Sequence, residues 1–405
     1  MIQDFIHRFL KRRHFWRYAT FDEVAELYAS RMMRILAQQM IGLFIALYLY
    51  QQGYSLEFIA VYSLLGFGFR ALMAYPAAKF VAKFGPKHGI LAGNLLYIPA
   101  LISFTFVAEL GIPAIIGFAV FQSISMVTYD VAYLVDFSKV KHADHAGKEI
   151  GYMHIFERLT ASLSPFVGGA VAFLIAPEAT MWLSAVFFAF AAVPLFRTRE
   201  PVRPNQNLTF RKFPLKEVWR TITAETAVGF DNFSSLGVWV LFLSVAVFSV
   251  ASNDIYLIIG IFASVAVLTS FISAYSFGRI IDWRHGGDLL KIASVANAAT
   301  HLFRPFVSTP AGVVAANVSN EIATTGYAMA FTRGVFDTAD SAKGFRIAYI
   351  CLISIALNLG AMLASGVLLG LLLLMESDLV AMQLFFVVAS AYVLVATTAR
   401  FKLYR

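Results

Sequence analysis

The stretch "NVSNEIATTG" puts Asn317, Asn320, Glu321 and Thr324 at spacings of three and four residues, so on a helix they share one face. The surrounding run is apolar enough to enter a bilayer. A carboxylate in hydrocarbon is costly unless it meets water or a partner, which makes Glu321 a candidate for chemistry. Three uses fit it: carrying a proton, binding a substrate, or holding a structural hydrogen bond. Arg70 lies at similar depth in the second apolar run, where it can attract an anionic group or hold Glu321 or another acid. In the first run, "AELYASRMMRILAQQ", Leu27, Arg31, Arg34 and Gln38 follow one helical face. Glu26 and Arg31 fall at the membrane interface, whereas Arg34 and Gln38 lie deeper and are directed toward a central wet cavity.

A shallower set comprises Asp130, Glu157 with Arg158, Asp231 with Asn232, and His301 with Arg304. Several of these fit a vestibule that water reaches from the inside. Glu157 and Arg158 are adjacent, point in different directions, and should pair with other helices rather than each other. The single cysteine, Cys351, rules out an intramolecular disulfide, and no metal-ligand spacing occurs. With no phosphate-cradling glycine loop and no Ser/His/Asp set, the sequence reads as neither an ATP-driven pump nor an enzyme, and no cofactor is expected. The net charge of +8 reads as a topology signal rather than a nucleic-acid footprint.

The elements that must position these groups follow from composition. The 405 residues are 59% hydrophobic and 14% charged, the profile of an all-α membrane protein. Apolar runs of about 20 residues, each long enough to cross roughly 30 Å of hydrocarbon, predict twelve spans. These are Val24–Tyr50, Glu57–Val81, His88–Glu109, Ile112–Phe137, Glu149–Ala176, Thr180–Phe196, Thr223–Ser249, Ile255–Gly278, Leu289–Ser308, Ala311–Phe331, Phe345–Leu374 and Leu379–Thr398. Lysine and arginine gather in the amino-terminal segment and the even-numbered connections, with Lys83 and Lys87, Lys139 with Lys141 and Lys148, and Arg284 with Lys291. The odd-numbered connections carry none. Both termini are therefore expected in the cytoplasm, in a bacterial inner (plasma) membrane, where "NLT" at Asn207 is no glycosylation site. In "MIQDFIHRFLKRR" apolar residues recur at helical spacing with a basic edge, so residues 1–20 are expected to lie on the membrane surface and attract anionic lipid rather than serve as a signal peptide.

A proline-bearing basic stretch at 199–221 separates two six-span halves, 21–198 and 222–400, leaving 401–405 as a tail. "AAKFVAKFGPKHG" after the second span and "FGRIIDWRHGGD" after the eighth stand in corresponding places. They resemble the signature of the major facilitator superfamily, Gly-x-x-x-Asp-Arg/Lys-x-Gly-Arg/Lys-Arg/Lys. The first copy retains Lys83, Gly85 and Lys87 but has alanine at 78 and 82; the second retains Gly278, Asp282 and Gly286. "GYMHIFERLTASLSPFVGGA" is similar to the antiporter motif of drug-exporting members through Gly151, Pro165, Gly168 and Gly169, with Thr160 and Ser164 in place of glycines.

The resemblance implies two pseudo-symmetric six-helix bundles. They would move a small solute by alternating access, as a monomer, with the proton gradient as energy source and export as the direction. Import or facilitated movement of an anionic or lipid-like solute is the alternative. A non-transporting assembly or sensor protein is a third, supported by the alanines of the first signature. Without an acid at position 82, the charge latch of that signature lacks one partner.

Overall fold

The computed structural model describes residues 21–140, 146–196, 205–206, 208–248, 254–281, 285–342 and 344–404, with side chains described for all but 21–25, 138–140, 146–154, 196, 271 and 275. The segment 1–20, Lys141, linker residues 197–204 and Asn207, Asp282 with Arg284, and residue 405 lie outside the described residues, as do the side chains of Lys139 and Lys148 and the surroundings of Gly151.

Helices occupy all twelve expected spans. The first half is built from α1 (Phe21–Gly42) and α2 (Ile45–Gln51), which share one span, then α3 (Leu56–Phe84), α4 (Pro86–Thr105) with the short α5 (Val107–Leu110), α6 (Ile112–Val140), α7 (Ala146–Leu174) and α8 (Pro177–Ala192). The second half is built from α9 (Leu215–Phe233), a π turn (Ser234–Val238) and α10 (Trp239–Ala246), again within one span, then α11 (Ile255–Ile280), α12 (Gly286–Phe303), α13 (Pro310–Ser341), α14 (Arg346–Leu374) and α15 (Asp378–Val393). Among the described residues, nine spans are apolar and long enough to cross a membrane by composition alone. The other three, α7, α12 and α13, carry Arg158, Lys291 and Glu321 respectively. Polar side chains lower their hydropathy because those helices line the interior of the bundle as well as lipid.

The leading span of each half is interrupted. Leu43 and Phe44 form a turn between α1 and α2, and the π turn separates α9 from α10. An extra residue in a π turn rotates every later side chain relative to those before it, and such breaks recur at functional sites. Near the end of α3 the chain turns at Gly85, whose φ of 95° is open to glycine and strained for other residues.

The halves meet along two helix pairs, α7 on α11 and α3 on α14. At the first crossing, Gly169 faces the Tyr256 carbonyl and Gly260 faces the Pro165 carbonyl, so a Cβ on either glycine would strike backbone. Gly168 packs on the Met40 carbonyl in the same way. The small-residue motif of the fifth span is thus spent on close helix approach, with Pro165 inside the helix.

Apolar side chains from both halves also close both ends of the molecule. At the basic end Phe137 and Phe336 have ring centroids 5.1 Å apart, and Cys351 Sγ lies 3.6 Å from the Ala74 carbonyl oxygen. At the opposite end Phe44 packs edge-on to Tyr256 at 5.2 Å, beside buried Leu47, Val240 and Ile255.

The first signature turn does have an acid, supplied from elsewhere in sequence. Lys87 is buried and its Nζ lies 3.2 Å from a Glu26 carboxylate oxygen. Glu26 is fully buried, because α1 begins beside the start of α4 and the carboxylate is held there by Lys87. Asn205 and Gln206 of the linker donate backbone N–H groups to the carbonyls of Lys83 and Ala82 at 3.0 and 2.8 Å, tying the linker to the same turn. Of the second signature, Gly278 is buried and Gly286 lies against the Tyr404 ring.

Candidate functional site

Arg34 of α1 is fully buried. One guanidinium nitrogen donates to Asn94 Oδ1 at 3.0 Å and reaches the Gly93 carbonyl at 3.4 Å, the other reaches the Met126 sulfur at 3.4 Å, and the plane sits 3.7 Å over the Tyr129 ring. Among the described residues no carboxylate forms an ion pair with it. A planar, weakly hydrated cation tolerates such a site through stacking and carbonyl acceptors, which an ammonium could not match. One turn nearer the basic end, Arg31 Nε pairs with Glu157 Oε1 at 2.8 Å and stacks 4.6 Å from the Tyr133 centroid.

Arg70 of α3 donates to Gln122 Oε1 at 2.6 Å, and Gln122 in turn donates to the Tyr97 hydroxyl at 3.0 Å. Sequence spacing allowed Arg70 to hold Glu321; the structure gives that role to Arg158. Its Nη1 lies 2.7 Å from Glu321 Oε2, with 22% and 18% of the two side chains exposed. This ion pair joins α7 of one half to α13 of the other. Asp130 of α6 is half-buried, makes no hydrogen bond or ion pair among the described residues, and lies within electrostatic reach of Arg34, Arg31 and Arg70. Gln38 is half-buried and has no hydrogen-bond partner among the described residues.

In the second half Asp231 and His301 are not separate vestibule residues; they form one buried network. His301 Nε2 lies 2.6 Å from Asp231 Oδ1, and the Tyr327 hydroxyl donates to the other carboxylate oxygen. Arg304 Nη1 reaches His301 Nδ1 at 3.0 Å and donates to Ser235 Oγ at 3.2 Å, while the guanidinium lies 4.9 Å from the Trp239 ring centroid. Ser235 donates to Asn320 Oδ1 at 3.1 Å, and Trp239 Nε1 donates to Asn317 Oδ1 at 2.6 Å. Thr324, expected on the wet face, returns its hydroxyl to the Asn320 carbonyl at 2.7 Å.

Arg304 comes from the last, 3₁₀ turn of its span yet touches groups deep in the bundle. Side chains on a helix lean toward its N-terminus, and here that direction is inward. Its Nε and Nη2 have no hydrogen-bond partner among the described residues.

The two halves therefore repeat one device. In each, the leading helix offers a fully buried charge to the third span ahead of the break in that leading helix, Arg34 to Asn94 and Asp231 to His301. Sequence reasoning missed Asn94, Gln122, Tyr129, Ser235, Tyr327 and Glu225, the last a buried carboxylate of α9 with no hydrogen bond or ion pair among the described residues. Ser235 and Asn94 were visible as polar residues within apolar runs; Tyr129 and Tyr327 read as ordinary packing aromatics. Together the groups make a charged layer across the middle of the bundle, with arginine prevailing in the first half and hydrogen-bonded acid in the second.

The sequence matches the model of the Major Facilitator Superfamily over residues 27–365. The fold is similar to the crystal structure of the human organic anion transporter MFSD10 (TETRAN), with TM-score 0.68, 13% identity, and coverage of 93% of this chain and 98% of that one. It is also similar to FucP, a transporter of the same superfamily, in the outward conformation, with TM-score 0.66, 12% identity and coverage of 92% and 97%. A variant of the E. coli fucose:proton symporter FucP matches at TM-score 0.65, 14% identity and the same coverage. No curated protein matches the sequence.

Proposed function

Because this chain belongs to the Major Facilitator Superfamily, a family of multi-pass solute transporters, we propose that it moves a small anionic solute together with a proton, using the Arg158–Glu321 pair as the coupling element. The observation that carries this reading is the pair itself: a cation of one half neutralised, at 2.7 Å, by a carboxylate of the other, deep in the bundle. Protonation of Glu321 removes the counter-charge of Arg158. An anion arriving with the proton then restores neutrality, which a low-dielectric site demands. When both leave, the ion pair re-forms and the empty carrier can return.

Arg70, whose guanidinium is only partly occupied by Gln122, offers a second contact for the anion. The designation of the human relative as an organic anion transporter is in keeping with this substrate class. Export rested on the partial small-residue motif, and packing against α1 and α11 accounts for Pro165, Gly168 and Gly169. Co-binding of proton and anion instead gives uptake whenever the proton gradient points inward.

The test is flux in vesicles containing the purified protein under an imposed pH gradient, with lumenal pH followed as organic anions, then size-matched neutral and cationic solutes, are added. Anion-dependent proton entry that Glu321→Gln abolishes, while anion exchange without net flux persists, supports the coupling. Asp130→Asn and Glu225→Gln serve as comparison carboxylates and should retain proton entry. Anion movement with no proton movement, or a preference for cationic solutes, would sink the proposal.

A further inference from the structure

A cavity of about 770 Å³ opens at the basic end of the second half, between the start of α9, the start of α12 and the chain that follows α15. Three cations line it, Arg220, Lys291 and Arg400, and among the described residues none of them has a carboxylate partner. The acids nearest in sequence are held elsewhere: Glu217 lies 2.7 Å from Lys402, and Asp288 lies 3.6 Å from His285. The same cavity has an apolar side formed by Leu290 and Val395, with Trp219 half-exposed at its edge and the Arg220 guanidinium 5.3 Å from the indole.

Along the same helix as Lys291 stand exposed apolar residues, Ile292 at 69% and Val295 at 55%, and Leu394, 41% exposed, adjoins Val395 of the cavity lining. The cavity therefore lies where a lipid-facing apolar surface meets the basic end of the bundle. Soluble anions need only the cations. A molecule that uses both surfaces carries a phosphate and acyl chains.

We propose that this cavity seats the headgroup of an anionic phospholipid, with Arg220, Lys291 and Arg400 on the phosphate and the acyl chains running over Ile292, Val295 and Leu394. Trp219 is an amphipathic ring at the headgroup level, where indoles are favoured. The site involves none of the groups assigned to solute or proton movement, so it stands or falls independently of them. It is also distinct from residues 1–20, the basic segment expected to meet anionic lipid from the sequence alone.

The experiment uses the full chain in detergent, relipidated with phosphatidylglycerol, with phosphatidylcholine, or with inorganic phosphate in place of lipid. Retained lipid is counted by mass spectrometry of the intact protein, and thermal unfolding is read in parallel. Each basic side chain at a membrane surface is worth roughly fivefold in anionic-lipid affinity, so Arg220→Gln/Lys291→Gln/Arg400→Gln should hold phosphatidylglycerol on the order of a hundredfold more weakly. A control removing as many exposed charges elsewhere, Lys79→Gln/Arg211→Gln/Lys216→Gln, should hold it as the native chain does. If the triple variant does not fold, Lys291→Gln alone, which breaks no contact, should still weaken retention about fivefold. Equal loss in the control and cavity variants, equal retention of phosphatidylcholine, or protection by inorganic phosphate would each overturn the assignment.

Discussion

Removing one member of the Arg158–Glu321 pair should cost more than removing both, and the structure gives the size of the difference. Two unit charges about 4 Å apart attract by about 4 kcal/mol at an effective dielectric of 20. Desolvation offsets most of that, so the intact pair is worth little more than a neutral one of the same shape. A single deletion is different, because it leaves the other charge in the bundle with no counter-ion. Breaking a buried pair in this way costs about 3–5 kcal/mol. Both side chains here retain about a fifth of their exposure, 22% and 18%, so screening reduces the figure for Arg158→Gln to about 2–3 kcal/mol.

Glu321→Gln is milder. Its amide oxygen can still accept from Arg158, and the expected cost is about 1–2 kcal/mol. The double variant joins two neutral amides that hydrogen-bond each other and should lie within about 1 kcal/mol of the native chain. Denaturant titration of the three variants in mixed micelles measures the cycle. Additive losses in the double variant would show that the two groups do not act as a pair, and would refute the reasoning for both stability and coupling.

Cys351, buried between the halves near Ala74, is a built-in reporter for the basic end: Phe137→Ala removes one ring of the Phe137–Phe336 contact, worth about 1 kcal/mol beyond its area, and should raise the rate of Cys351 modification by a small thiol reagent severalfold, whereas an unchanged rate would mean these rings do not close that end. At the opposite end, Gly169→Val drives a side chain into the Tyr256 carbonyl and should cost about 1–3 kcal/mol by separating α7 from α11. A cysteine introduced at Leu47 in a Cys351→Ser background, protected in the native packing, should then become accessible. Lys87→Gln removes the cation beside the fully buried Glu26 carboxylate and should lower stability by about 3 kcal/mol, while Lys87→Gln/Glu26→Gln recovers most of it on thermal unfolding.

The layer of polar groups was legible in the sequence, but not who pairs with whom. Intramembrane charge is expensive enough that Glu321, Arg70, Arg34 and Asp231 stand out against apolar neighbours whatever the fold. Pairing depends on relative depth and rotation of separate helices, and counting residues from span ends assumes straight spans of equal length. Here α13 has 32 residues, about 48 Å at 1.5 Å per residue, whereas α12 has 18. The π turn after Phe233 also re-aims Ser235 and Trp239. Arg304 reaches His301, three residues before it, by ordinary helical spacing, and Ser235 of the π turn across the bundle. Glu321 meets Arg158 rather than Arg70. Glu26 shows the same limit: an acid one turn into a span reads as a lone charge until another helix is found to begin beside it.

The repeated device in the two halves carries a functional asymmetry in the sign of its charge. In the first half the buried charge facing the third span is Arg34, a guanidinium that stays protonated at any physiological pH and is held by neutral acceptors. In the second it is Asp231, held by His301 and the Tyr327 hydroxyl, so the charge there belongs to a carboxylate paired with an imidazole, both side-chain types that can take up and release protons. A fixed cation provides a constant attraction for an anion and cannot report a proton gradient; a hydrogen-bonded acid network can. Under the proposed anion–proton reading, the first half would recognise charge and the second half would sense the proton, with Arg158 and Glu321 joining them. Exchanging Arg34 for Lys tests the first part. The ammonium loses the planar stack on Tyr129 and the fork that reaches Asn94, Gly93 and Met126 together, and should cost about 1–3 kcal/mol. If Arg34 sets the attraction, anion affinity falls in Arg34→Lys while the pH dependence of flux stays where it was; a shift in the pH dependence instead would place proton sensing in the first half and undo the division.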